Sequence, residues 1–447
     1  MLVRLGHGLF AIFLVLTLLT PAWRVGIFTW LPVLRLPEVG GRQAVLGILS
    51  LLPAAIVLCW VAWRLLGEGN PLWRWGRWSL AVPLAGLSLL VLMSLDPALT
   101  WRTDVQVVAL ALCWLTYLFV VNEAPSLTPP LAVIVTVQSL VAIGQFLLQR
   151  NLGLAALGEP SLSPLVEGTS VLVANGQPWL RAYGLTGHPN ALGALLAVLL
   201  LILVPDVHQA SGWGRWALLI TLLLGLTGLL FSFSRNAWLA FGGGLLVLAL
   251  AARNSRQAEV PTPQGQRSRL ATLAAIGVTA VAVVLLLGTY RDLIASRLFH
   301  PDIPVEATSL NERQRDAVIA VDIIGQHPWR GVGAGNYPAA GQKLDPAART
   351  VHNVPLLVAA ELGLLGLLLL MWLGLAPFVR LVDRKRGVPW HRGYQLRWTL
   401  TAAAAPWVAL LLLGLFDVSI WLTSSWQAAV LLGLLVALQS RNEEETA

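Results

Sequence analysis

The chain has 447 residues, of which 57% are hydrophobic and only 12% charged. Soluble domains carry roughly 25% charged residues, so this composition excludes an ordinary water-facing fold and makes lipid the natural solvent. The net charge of +8 is spread over links on both sides of the apolar runs, which points to anionic headgroups and an anionic substrate rather than nucleic acid.

A hydrocarbon core about 30 Å thick takes roughly 20 apolar residues per helix. Apolar runs of that order lie near 6–23, 44–66, 78–95, 104–121, 130–148, 188–204, 214–231, 236–252, 270–289, 354–379, 398–416 and 418–438. The expected fold is therefore an all-α polytopic bundle of about twelve transmembrane helices, forming one domain over 1–447. No small-residue cleavage site follows the first run, so it reads as a retained helix. Cys59 and Cys113 fall inside apolar runs and read as small buried hydrophobes. Twenty tryptophans suit the membrane–water interface.

Orientation follows from Lys and Arg in the short links. With the N-terminus in the cytoplasm, 16 basic residues fall inside, among them Arg64, Arg74, Arg77 and Arg441. Seven fall outside, among them Arg150, Arg181 and Arg235. Both termini are then cytoplasmic. Two outside segments stand out by length: 149–187, rich in Gly, Pro and Ser, and 290–353, between the ninth and tenth spans. Long loops of this kind are usually functional, and Glu312 to Ile324 has an amphipathic helical pattern. Asn254 to Ser268 reads as a polar cytoplasmic connection.

Three stretches at outside helix ends carry chemistry. The first is Arg181-Ala-Tyr-Gly-Leu-Thr-Gly-His-Pro-Asn190, leading into the sixth span. A helix N-terminus favours anions, and Arg181 adds charge-assisted hydrogen bonds suited to phosphate. Its bland alternative is a helix start with an arginine nearby. The second is Phe231-Ser-Phe-Ser-Arg-Asn-Ala-Trp238, where Arg235 is the only formal charge between Arg215 and Arg253. A charge so close to lipid faces a polar cavity or snorkels to the interface. The third is His352-Asn353 followed by Gly363-Leu-Leu-Gly366. An imidazole with an ordinary pKa of about 6.5 supplies a general base at neutral pH; a capping histidine is the alternative. Glu361 lies nine positions on, about 180° around an ideal helix, and forms no dyad with His352.

Weaker features complete the pattern. Arg313 lies in Asn311-Glu-Arg-Gln-Arg315. His327-Pro-Trp-Arg-Gly-Val-Gly-Ala-Gly-Asn336 is glycine-rich but lacks the Lys-Ser/Thr ending of a nucleotide loop. Asp417 is either a pocket residue or a cap of the last helix.

Taken in order, Arg181 with Gly187-His-Pro-Asn190, Ser234-Arg235, Arg313, Gly331-Val-Gly-Ala-Gly-Asn336, and His352-Asn353 with Gly363 and Gly366 resemble the O-antigen ligase family. That family includes polymerases of lipid-linked repeat units and protein O-oligosaccharyltransferases. The resemblance spans about 181–366; the first third of the chain is similar in hydropathy alone. It implies a GT-C-like glycosyltransferase of the bacterial inner membrane, acting in lipopolysaccharide and cell-envelope polysaccharide synthesis with a periplasmic site. Such enzymes move a glycan from an undecaprenyl-pyrophosphate carrier to an acceptor hydroxyl on lipid A–core, protein or another glycan, with neither metal nor ATP. His352 then matches the base, and Arg181, Arg235 and Arg313 match arginines serving the pyrophosphate, with Asn190, Asn336 and Asn353 beside them as substrate-binding residues. A transporter of a small anion stays open as the alternative of another class. It would favour broken helices at the midplane and an inverted repeat, and no repeat is visible.

Overall fold

In a computed structural model the described residues are 2–19, 32–35, 45–47, 51–66, 73–95, 100–174, 176–256, 288–299, 304–383, 390–421 and 425–444. The helices are α1 (Leu2–Leu19), α2 (Leu51–Leu65), α3 (Trp78–Met93), α4 (Thr100–Glu123), α5 (Thr128–Leu148), α6 (Pro189–Leu203) and α7 (Gly212–Phe231). They continue with α8 (Arg235–Arg256), α9 (Arg291–Phe299), α10 (Pro304–Gln326), α11 (Tyr337–Leu344), α12 (Val354–Asp383), α13 (Trp390–Phe416) and α14 (Trp426–Glu444). Eleven of the twelve apolar runs correspond to helices among the described residues. The ninth run lies, apart from its last two residues, outside them, as does most of the polar connection before it.

By length and composition, 106–123, 128–148, 212–231 and 354–379 are long and apolar enough to cross a membrane. The other apolar helices are shorter. Helices α8 and α13, α4 and α14, α5 and α7, and α3 and α12 make the closest pairs. Lipid gives little hydrophobic drive for helices to pair, so close approach over small residues matters. A Cβ on Gly433 of α14 would come within 2.4 Å of the Cys113 carbonyl oxygen of α4. Cys113 is buried in that contact, Cys59 is half-buried, and both are free thiols.

Polar groups tie the two ends of the bundle. At one end Arg64 pairs with Glu123 at 3.0 Å, stacks over Trp73, and the Arg77 N–H donates to Ser440 Oγ at 2.8 Å. At the other end Asn236 donates to the Phe416 carbonyl and Asn353 to the Leu415 carbonyl. Arg64, Arg74, Arg77 and Arg441 thus share one end, and Arg181, Arg235 and His352 lie at the opposite one.

Two features differ from the all-α expectation. Strands β1 (Pro32–Arg35) and β2 (Val45–Gly47) form a short antiparallel pair. Strands β3 (Val171–Ala174) and β4 (Gln177–Leu180) form another inside the 149–187 segment. Val171 and Val173 favour the extended form, and Gly176, at φ 73°, supplies the left-handed turn residue. Runs this short carry too little periodicity to stand out in a chain dominated by apolar helices. The last two spans are also separate helices: Asp417 ends α13 and accepts from the Ser419 N–H at 2.8 Å. The cap of α14 is Ser425, whose Oγ accepts from the Ala428 N–H. Asp417 therefore does not cap the last helix.

Candidate active site at a recessed helix start

The site is built on a segment that turns back into the bundle. From β4 the chain runs through Arg181–Thr186, all buried. Its backbone polar groups find partners on α5. Gln145 Oε1 accepts from the Tyr183 and Gly184 N–H groups, and its amide donates to the Gly184 carbonyl and to Glu159. Gln138 Oε1 accepts from the Leu185 N–H at 2.8 Å, and its amide donates to the Leu19 carbonyl at the end of α1. Gln138 lies ten residues before the end of α5, about 15 Å along the helix axis. In lipid an irregular backbone survives only where such groups are satisfied inside the protein.

Helix α6 starts at the bottom of this descent. Its 15 residues span about 22 Å, short of the roughly 30 Å hydrocarbon core. Its N-terminus is accordingly sunk below the bundle end. Pro189 occupies the first turn, where a missing N–H costs nothing. His188 is the cap: its Nδ1 accepts from the Asn190 N–H at 3.1 Å. Arg181, only 5% exposed, lies across this start. Its Nε donates to the Ser232 carbonyl at 2.9 Å and its Nη2 to Asn190 Oδ1 at 2.7 Å.

Four further charged or ionisable groups gather here. His352 sits just before α12, with Nδ1 buried and without a hydrogen-bond partner among the described residues. Burial, then the Arg313 guanidinium, holds the His352 pKa below its ordinary 6.5; Asp417, Asp316 and Glu312 oppose the shift. Arg181, His352, Arg313 and Asp417 lie within electrostatic reach of His188. His352 is neutral at pH 7, and His188, whose Nδ1 accepts an N–H, carries no proton there. Arg181, Arg313, His188, His352 and the buried Asp417 share one electrostatic neighbourhood built from the α6 start, α10, the α12 start and the end of α13.

Other expected site residues have visible tasks in the fold. Asn353 caps α12, its Oδ1 accepting from the Leu356 N–H at 2.8 Å. Arg235 lies one turn beyond Ser232, the residue that anchors Arg181. Its Nη1 donates to the Arg297 carbonyl, while Arg297 Nε donates to the Phe233 carbonyl, so the pair clasps α9 against the α7–α8 turn. Asn336 closes the glycine-rich loop on itself, donating to the Val332 carbonyl at 3.1 Å.

That loop is a latch. Gly363 has φ 71° and ψ −174°, which breaks α12 into two helices. Into the break fits 328–333: Val332 N–H donates to the Ala360 carbonyl, Gly333 N–H to Glu361, and Leu364 N–H to Pro328. A Cβ on Gly331 would lie 2.3 Å from the Glu361 backbone, and one on Gly363 2.3 Å from the Trp329 carbonyl oxygen. Glu361 Oε1 accepts from the Tyr337 N–H, on the latch side and not toward His352. The half-helix 354–362, which His352 precedes, is thus fixed to the loop that continues Arg313's helix. Ser94 Oγ holds the same loop from the end of α3 by accepting from the Ala334 N–H.

Residues 220–371 match the O-antigen ligase family model. The matched stretch begins within α7 and ends within α12, so it contains Arg235, Arg313, the latch, His352, Gly363 and Gly366. It bears out the resemblance carried by those motifs. Arg181, His188, Asn190 and Asp417 lie outside the O-antigen ligase match and join its residues only in space. No curated protein matches the chain. The match covers about a third of the chain and, with the apolar helices, supports a membrane role of glycan ligase or polymerase type. His188 was not singled out as a site residue from sequence, although it stands between Arg181 and Asn190; Asp417 was, as either a pocket residue or a cap. Among the described residues no three His, Cys, Asp or Glu side chains gather to hold a metal ion.

Proposed function

We propose that the chain is a membrane glycosyltransferase that moves a glycan from undecaprenyl pyrophosphate to an acceptor hydroxyl, at the membrane face away from the cytoplasm. One observation carries this reading: His352, a histidine with an orphaned ring nitrogen, lies within electrostatic reach of Arg313 and of His188, which stands with Arg181 at the start of α6. The acceptor oxygen attacks the anomeric carbon as its proton passes to His352. The bond from that carbon to the pyrophosphate oxygen breaks, and the electron pair leaves with the lipid. Direct displacement inverts the anomeric centre. Charge grows on the leaving pyrophosphate, where Arg181, Arg313 and the α6 N-terminus stabilise it. Arginine suits the task because its planar fork of donors matches phosphate oxygens. Arg235 supports the same wall through its clasp with α9.

Reconstitution tests the proposal. Purified protein in liposomes receives an undecaprenyl-pyrophosphate glycan with lipid A–core, an acceptor protein or a second lipid-linked glycan. Product mass separates ligase, protein transferase and polymerase. His352→Ala is expected to abolish transfer while inserting normally; full activity in that variant would sink the base assignment. Anion flux without any glycan product would return the chain to the transporter alternative.

A further inference from the structure

His188 and His352 share the site, but their ring nitrogens are placed differently. His188 Nδ1 accepts from the Asn190 N–H. A neutral imidazole has one acceptor and one donor nitrogen, so the proton of His188 is on Nε2. Its basic nitrogen is occupied by the helix cap, and it cannot take the proton of an acceptor hydroxyl. What remains is donation. Nε2 lies 3.3 Å from Ser170 Oγ, a long contact at the edge of the β3–β4 hairpin. The ring and the adjacent Gly187 are exposed, and open space surrounds Gly187. His188 is therefore open to solvent at the start of α6. Arg181, the buried cation beside it, bonds Asn190 on the same helix turn.

We infer that His188 is a second substrate-contacting residue, a neutral Nε2–H donor to the pyrophosphate group that Arg181 attracts. The assignment rests on the glycan-transfer reading for the identity of the anion, and on the geometry for the role. It divides the two histidines: His352 receives the proton, and His188 donates a hydrogen bond while staying un-ionised. A neutral donor stabilises the leaving oxygens without competing for the proton in transit.

Two substitutions separate this role from helix capping. Serine is a good N-cap, so His188→Ser keeps the cap and removes the Nε2–H. His188→Asn keeps the cap and restores an N–H donor. Binding of inorganic pyrophosphate and of undecaprenyl pyrophosphate is measured on the full chain in nanodiscs, alongside thermal unfolding. Loss of one hydrogen bond to a charged group weakens binding roughly 10- to 100-fold. His188→Ser is expected to show that loss with unchanged unfolding, and His188→Asn to recover part of it. Binding of both probes assigns the contact to pyrophosphate itself; binding of the lipid form alone assigns it to the carrier. Wild-type affinity in His188→Ser would overturn the proposal, as would failure of the wild type to bind either probe. A wild type that binds pyrophosphate but yields no glycan product would leave the contact standing and defeat the transfer reading.

Discussion

If His352 is the base as proposed, its protonation is expected to stop transfer on the acid side, with a midpoint below 6.5 because burial and Arg313 depress its pKa. Removing the guanidinium removes a repulsion against the imidazolium. Arg313→Gln is expected to move the acid limb of the pH–rate profile upward, and an unmoved limb would separate Arg313 from the base. Stability follows the same sign. The His352 ring has a lower pKa folded than unfolded, so the unfolded chain binds more protons below about 6.5. Its contribution is fully present above pH 6.5 and is lost as pH falls below it, which thermal unfolding across pH 4–7 measures. The residue types here were legible in the sequence, since a histidine and lone arginines stand out against apolar runs. The pairing of Arg181 with Asn190 was not, because a hydrogen bond across nine positions depends on where the helix begins.

At the scale of elements, two breaks in helical order shape the site. The descent of 181–186 hangs on Gln138 and Gln145, each answering backbone groups that would otherwise be buried without partners. An unmade buried hydrogen bond costs about 1–3 kcal/mol. Gln145→Leu strands three such bonds and is expected to lower the unfolding temperature and with it donor binding. The latch makes a different demand. Gly363→Ala places a Cβ against the Trp329 carbonyl at a left-handed φ, where L side chains are strained. Transfer and unfolding temperature are both expected to drop, while Gly325→Ala, facing open space, changes neither. The amphipathic pattern over Glu312–Ile324 foretold α10, which runs 304–326. The spacing of Gly363 and Gly366 gave no hint that the first lies in a helix break, since the reason is a loop 30 residues upstream that fills it.

Across the molecule, orientation places the site. With native Cys59 and Cys113 replaced by alanine, a cysteine at exposed Gly187 is expected to react with a membrane-impermeant maleimide from the outside of intact cells. A cysteine at exposed Trp73 is expected to react only after permeabilisation; the reverse pattern would invert the topology. Hydropathy and charge alone determined that this chain is a helical membrane protein, which ends of the apolar runs lie together, and which arginines and histidine merit attention. Those properties are local sums over short windows, and lipid enforces them. Only the tertiary structure decided that α6 starts deep in the bundle, that Arg181 crosses to its first turn, that a loop completes α12, and that His188 joins His352. Each depends on backbone groups satisfied by residues distant in sequence. In a medium without water those partners must come from the protein, and no short window of sequence records which ones do.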